Sequence, residues 1–254
     1  MDRFVCIHGH FYQPPRENAW LERIERQESA YPFRDWNERI DSECYRPNAK
    51  ARILDAEDRI VTLANNYARI SYNFGPTLLS WMESHAPRTY EGVLAADAES
   101  KRRFGHGSAM AQAYGHLILP LASERDRRTQ IAWGIRDFEH RFGRGPEGMW
   151  LAETAVCTDS LLAMAEQGIA FTVLSPRQAK AVRRSGESEL LDVNEATLDT
   201  RRPYFVDLGA GRKIAVFFYD GATSQAIAFE QLLSSGDAFA NRLLGRFRGG
   251  TGPE

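Results

Sequence analysis

The sequence is poor in cysteine, in long apolar runs and in any excess of one charge. Its 3 cysteines in 254 residues, Cys6, Cys44 and Cys157, are odd in number, far apart and without CxxC spacing. That pattern excludes a disulfide framework and a zinc ribbon, and it predicts three free thiols. Lys+Arg total 32 against 34 Asp+Glu, a net charge of −2, so no basic face is offered to nucleic acid. No segment approaches the roughly 18 apolar residues of a membrane span. The apolar run at 4–7 is too short for a signal-peptide core and leads into histidines rather than a small-residue cleavage site, so the expected location is cytoplasmic. A GxSxG elbow, a GxxxxGK[ST] loop and a strand-linked GxGxxG are all missing, which leaves no sequence signal for a serine nucleophile or a phosphate cradle.

What is present reads as an ordinary globular α/β chain, 43% hydrophobic and 26% charged. Its length suits one (β/α) barrel. Short β-rich runs at 3–8, 69–74, 148–153, 169–175 and 213–220 alternate with helical stretches, the pattern of βα units on a parallel sheet. The spacing of Ile53, Ile60, Leu63 and Ala64 predicts a helix over 49–67, and that of Ile131, Ile135, Phe138 and Phe142 another over 123–142. A third is expected from Thr158 or Asp159, as cap, to Gln167, with Gly168 just past it. "GAGRK" at 209–213 reads as a hairpin turn. The main domain is expected to fill residues 1–247, and "RGGTGPE" at 248–254 to be a flexible tail.

In parallel α/β architectures ligands collect at the carboxyl ends of strands, and here those ends carry His8 and His10, then Asn73, then Trp150 and Glu153, then Asp220. Residues two apart on a strand share a face, so His8 and His10 point the same way, toward a barrel axis if Cys6 also points inward. They suit a metal, a structural hydrogen-bond role or a sugar hydroxyl, but HExxH is absent and spacing supplies no third metal ligand. Glu153 stands between an apolar strand and a turn, or else at a helix N-terminus favoured by the dipole. Asp220 precedes Gly221, as a simple turn also would. Two carboxylates at two strand ends meet the needs of glycoside hydrolysis, one as nucleophile or base and one as proton donor. Tyr12, Trp36, Trp150 and Tyr219 provide flat apolar faces for sugar rings, with Trp36 in a polar insertion of poor periodicity that reads as an active-site loop.

These residues resemble family 57 of the glycoside hydrolases over nearly the whole chain. "HGHFYQPP" resembles that family's His-x-His-Gln-Pro run, with Phe11 and Tyr12 inserted before Gln13. "ISYNFGPTLLSWM" with Asn73 and "YGHLILPLA" with His116 resemble the next two blocks. "GMWLAETAV" resembles the nucleophile signature, with Ala152 in place of its proline and Glu153 on the nucleophile, while "FFYDGATSQAIAF" puts Asp220 on the proton donor. The resemblance implies an incomplete, seven-stranded (β/α) barrel of the glycoside hydrolase/deacetylase type, parallel strands with surrounding helices. It implies a retaining hydrolase or glycosyl transferase for α-glucans or related α-glycosides, without metal or other cofactor. A helical region beyond the barrel is also implied, of which this chain carries about one helix. The expected catalytic residues are Glu153 and Asp220, with an oligosaccharide held by His8, His10, Gln13, Trp36, Asn73, His116, Trp150 and Tyr219. Retention requires the two carboxyls about 5–5.5 Å apart. The alternatives are a catalytically silent carbohydrate-binding barrel and a metal-dependent polysaccharide deacetylase, for which "YDG" supplies only one acid.

Overall fold

The computed structural model describes residues 4–247; the end at 248–254 and Arg3 lie outside the described residues. Two compact units emerge, one of Cys6–Ala170 and one running on from Phe171 that also takes in Phe4 and Val5.

The first unit holds β1 (His8–Phe11), β2 (Ala51–Leu54), β3 (Ile60–Ala64), β4 (Ser71–Phe74), β5 (Ala111–Gln112) and β6 (Met149–Trp150). β1 runs parallel to β4, with His8 opposite Ser71 and His10 opposite Asn73. β5 runs parallel to β6, with Gln112 opposite Trp150, and a parallel bridge from Tyr72 to Ala109 links β4 to the approach to β5. Tyr72, Asn73 and Phe74 are all buried, as expected of a strand covered on both faces. The longer helices are α1 (Pro76–His85), α2 (Pro87–Phe104), α3 (Glu124–Phe142) and α4 (Thr158–Glu166), and the polar insertion expected as a loop is largely helical from Trp36 to Ala49.

α3 follows its periodicity closely. Ser123 caps it, accepting from the Asp126 amide at 3.2 Å, and Ile131, Gly134 and Phe138 form the buried stripe. At Gly134 any larger residue would place its Cβ 2.0 Å from the Gln112 carbonyl oxygen. The helix therefore lies directly on β5 and fixes the height of Gln112. A buried ion pair holds the chain just before that strand: Arg144 donates to both Asp97 carboxylate oxygens and to the Ala109 carbonyl, and Asp97 accepts from the Ala109 amide. Each charge is thus paired and hydrogen-bonded, the condition under which burial of charge is tolerated.

The helix expected over 49–67 is instead the antiparallel hairpin β2–β3. Asp55 turns the chain, its carboxylate accepting from the amides of Glu57 and Arg59 at 3.0 and 2.9 Å. Ile53, Leu54, Ile60, Val61 and Leu63 all stay about half exposed, so no single apolar stripe exists to drive a helix. β-branched residues and a side-chain-stabilised turn outweighed a spacing that matched the helical period by coincidence. Smaller differences also appear. Among the described residues β1 begins at His8, matching a partner strand only four residues long, Cys6 is exposed, and Cys157 rather than Thr158 or Asp159 precedes α4. The three cysteines are free.

In the second unit β9 (Lys213–Phe218) lies between β7 (Phe171–Leu174), to which it is parallel, and β8 (Tyr204–Asp207), to which it is antiparallel. The expected hairpin turn at 209–212 joins β8 to β9. Helices α5 (Gly221–Phe229) and α6 (Gly236–Gly245) follow. The class is α/β with parallel strands and intervening helices, as the sequence predicts, and the strand ladders among the described residues do not close a ring.

Candidate active site

The parallel register of β1 and β4 brings His8, His10, Ser71 and Asn73 onto one face, where Gln112 of β5 and His116 join them. His8 Nδ1 meets Ser71 Oγ at 3.0 Å, and His8 Nε2 donates to Asn73 Oδ1 at 3.1 Å. Asn73, wholly buried, places Nδ2 3.0 Å from His10 Nδ1 and donates to Gln112 Oε1 at 2.6 Å. His10 Nε2 then lies 3.2 Å from Nε2 of His116. With ring planes within 14° and centroids 5.2 Å apart, the two imidazoles meet edge to edge, as an N–H···N hydrogen bond requires.

Aromatic contacts hold these rings in near-parallel planes. Trp150, at the end of β6, has its ring 5.0 Å from that of His8 and 5.1 Å from that of His10, within 17° and 19° of parallel. On the far side Tyr12 stacks on His116 with centroids 3.8 Å apart. Gly75 makes room for this tyrosine, since a Cβ there would come within 2.9 Å of Tyr12 Cδ2. The result is a wall of five flat rings whose polar edges are largely satisfied from within. Two buried donors are not: Trp150 Nε1 and Gln112 Nε2 find no hydrogen-bond partner, although buried N–H groups are nearly always paired.

Just past Trp150 the chain buries Leu151 and Ala152 and then turns sharply, with Glu153 at φ 56° and Thr154 at φ 52°. Thr154 N bonds to Leu151 O and Ala155 N to Ala152 O, closing the turn and leaving Glu153 exposed. Neither a regular strand end nor a helix N-terminus describes Glu153. It occupies a left-handed position that costs a non-glycine residue about 1 kcal/mol, the kind of strain that clusters at functional sites. His116 shares the feature at φ 52°.

The electrostatics are those of neutral imidazoles beside a carboxylate. Burial pulls His8 down to about 4, against its hydrogen bond to Asn73. Burial likewise lowers His10 and His116, outweighing the pull of the Glu153 charge in the opposite direction. Among the described residues no cluster of three or more His, Cys, Asp or Glu is arranged to hold a metal ion.

The other expected site residues make contacts of their own. Gln13 donates to the Tyr45 hydroxyl at 3.2 Å and accepts from Arg16, and burial pushes the Tyr45 phenol up to about 12. Trp36 donates from its indole to Ser29 and lies under the Arg39 guanidinium, within its own segment. In the second unit Tyr219 extends the pairing of β9, its amide bonding to Leu174 O. Asp220 caps α5, accepting from the Thr223 amide at 2.9 Å, and its other oxygen pairs with Arg246. Ser71 and Gln112 escaped the sequence reading. Ser71 was readable, two residues before Asn73 and so on its face; Gln112, on a two-residue strand, gave no periodic signal.

The protein is of the α/β class with parallel strands, and it carries a flat ring wall and, in the turn that follows Trp150, a strained exposed carboxylate. The family model for glycosyl hydrolase family 57 matches residues 11–250, and the chain belongs to that family. It is 29% identical over 105 residues to alpha-amylase 1 of Dictyoglomus thermophilum, covering 41% of this chain and 15% of that protein. Among solved structures it resembles the 4-alpha-glucanotransferase of Thermococcus litoralis, with a TM-score of 0.58, 18% identity and coverage of 90% of this chain and 30% of that one. It also resembles a family 57 branching enzyme of Thermococcus kodakaraensis, with a TM-score of 0.59, 17% identity and coverage of 91% and 50%. At these identities the likeness shows the fold, and the chain spans half or less of the length of these relatives.

Proposed function

We propose that this chain is a retaining glycoside hydrolase or glycosyl-transferring enzyme acting on α-glucans or related α-glycosides. Glu153 attacks the anomeric carbon, and Asp220 gives its proton to the leaving oxygen and then activates water or an acceptor hydroxyl. The sugar ring lies against the wall of Trp150, His10 and Tyr12, whose flat faces suit its apolar side. The observation that carries the reading is Glu153 itself, held exposed in a strained turn next to that wall. The amylase, glucanotransferase and branching enzyme among its relatives support a glucan substrate.

The test is incubation of the protein with maltooligosaccharides and amylose, followed by chromatography of the products, for wild type and Glu153→Gln. Shorter products alone mean hydrolysis, longer ones transfer and branched ones branching. Glu153→Gln should abolish turnover, by at least about 10³-fold, with an unchanged circular dichroism spectrum; undiminished turnover refutes the assignment. A second reading, a glucan-binding barrel without turnover, draws support from Asp220, whose two oxygens are taken by the Thr223 amide and Arg246. Calorimetric binding of maltoheptaose without any product would establish it.

A further inference from the structure

A cleft of about 430 Å³ opens on one flank of α3, lined by Tyr114, Trp133, Arg136, Asp137 and His140. The last four, three or four residues apart, share one face of the helix, beside the stripe of Ile131, Gly134 and Phe138 that α3 buries. Trp133 keeps 54% of its surface exposed and Tyr114 39%, and their rings meet edge to face, with centroids 5.9 Å apart and planes at 85°. They form two flat walls at a right angle. The backbone fixes Tyr114 in place: its amide donates to Gln130 O at 3.1 Å, and that of Gly115 donates to Gln130 Oε1 at 2.7 Å. The corner is therefore formed before any ligand arrives, which spares a ligand the cost of ordering it.

The polar tips of this cleft differ from those of other aromatic residues in the chain. Trp36, Tyr67, Tyr72 and Tyr204 each donate to a protein oxygen. The Tyr114 hydroxyl, the Trp133 indole N–H and the His140 ring instead make no hydrogen bond or ion pair with any described residue. The charges, by contrast, are balanced: Arg136 donates to Glu139 at 2.9 Å, and both Asp137 oxygens accept from Arg141 Nε. An ionic ligand finds no uncompensated partner here, whereas a neutral polyol can use the free tips and the spare lone pairs of the Asp137 carboxylate. A sugar ring meets both conditions, with an apolar C–H face for the aromatic corner and hydroxyls for its rim. Five lining residues are too few for a protein partner, which engages about 20–30 on each side.

We propose that this cleft is a second carbohydrate site, sharing no residue with the wall of Trp150, His10 and Tyr12, and that it holds a glucose residue of a long α-glucan. Tyr114 stacks on Trp133 of α3, while His116, two residues further on, stacks on Tyr12. Two residues span at most about 7 Å. A polysaccharide held at the cleft is thus kept beside the wall, and the site raises the local concentration of long chains without touching the reacting atoms.

The choice of glucan rests on the glycosidase reading, but binding is measured without turnover. In native gels containing amylopectin the wild-type protein should be retarded. Trp133→Ala should raise the apparent Kd about 10-fold, and Trp133→Tyr, which keeps a flat ring, should recover most of the binding. Trp133 is exposed, so the circular dichroism of both variants should match wild type. In assays Trp133→Ala should lower kcat/KM about 10-fold on amylose, through KM, and less than about 2-fold on maltotriose. Undiminished retardation of Trp133→Ala, or equal losses on amylose and maltotriose, overturns the second site. So does a dimer, seen by sedimentation, that Trp133→Ala abolishes, since the face is then an interface between copies. If amylopectin retards the wild type through Trp133 while no glucan is turned over, the glycosidase reading fails and the site stands. If glucans are turned over and Trp133→Ala changes nothing, the site falls and the glycosidase reading stands.

Discussion

The strongest residue-scale feature is the pressure on His8. Its imidazole is buried against Trp150, anchored at both nitrogens and held neutral, with burial lowering it from 6.5 to about 4. The folded state therefore binds that proton less tightly than the unfolded chain does. The sign follows: the stability this group contributes is complete above about pH 6.5 and is lost as pH falls toward 4. A depression of that size corresponds to roughly 3 kcal/mol at the acid end, at about 1.4 kcal/mol per pH unit. Urea unfolding at steps from pH 7 to pH 4 should show this loss, and His8→Gln, which cannot take up the proton, should show a shallower one. Parallel curves for the two proteins would mean that other groups govern acid stability. The sequence made His8, His10, Asn73 and Trp150 visible as candidates at the ends of β-rich runs, and His116 through the resemblance of its block to the family. Their joint role was not visible, because it depends on contacts between residues more than 60 positions apart.

At the scale of elements, legibility followed periodicity and its failures. α3 was readable because its stripe of Ile131, Phe138 and neighbours is unbroken and its ends carry Ser123 and Gly143. The β2–β3 hairpin was misread because both its faces are apolar and half exposed, so two-residue and helical spacings coexist in the same stretch. What no period reveals is close approach. Gly134 is where α3 touches the Gln112 carbonyl, and two opposing effects meet there. Gly134→Ala gains about 1 kcal/mol of helix propensity, but its methyl would sit 2.0 Å from backbone oxygen that no side-chain rotation can move. The collision should win, for a net loss of about 1–3 kcal/mol typical of overpacking. Chemical denaturation measures it, and a stabilised variant would show that α3 can lift without penalty. Because Gln112 accepts from Asn73, the same variant should also lower kcat.

For the whole molecule, the order of the sequence blocks sufficed to identify an α/β frame of parallel strands, and the family match over residues 11–250 agrees with it. The chemistry was less legible at this scale, because the two proposed carboxylates belong to different units, Glu153 to the first and Asp220 to the second. In its own unit Asp220 has an ordinary occupation as the cap of α5, and a cap explains an Asp-Gly pair at that point without any catalysis. Asp220→Asn separates these roles, because asparagine caps a helix about as well as aspartate and the exposed pair with Arg246 that it gives up contributes little, whereas it can neither give nor take the catalytic proton. If Asp220 is the acid and base, the variant should lose about 10³-fold on glucans, whose leaving oxygen needs protonation, and far less on an aryl α-glycoside with an acidic phenol as leaving group. Its glycosyl-enzyme should then accumulate for want of a base, and azide, which needs none, should restore turnover and yield an α-glycosyl azide of retained configuration. Equal losses on both substrates, with no effect of azide, would leave Asp220 as a helix cap and require the proton donor to be sought elsewhere.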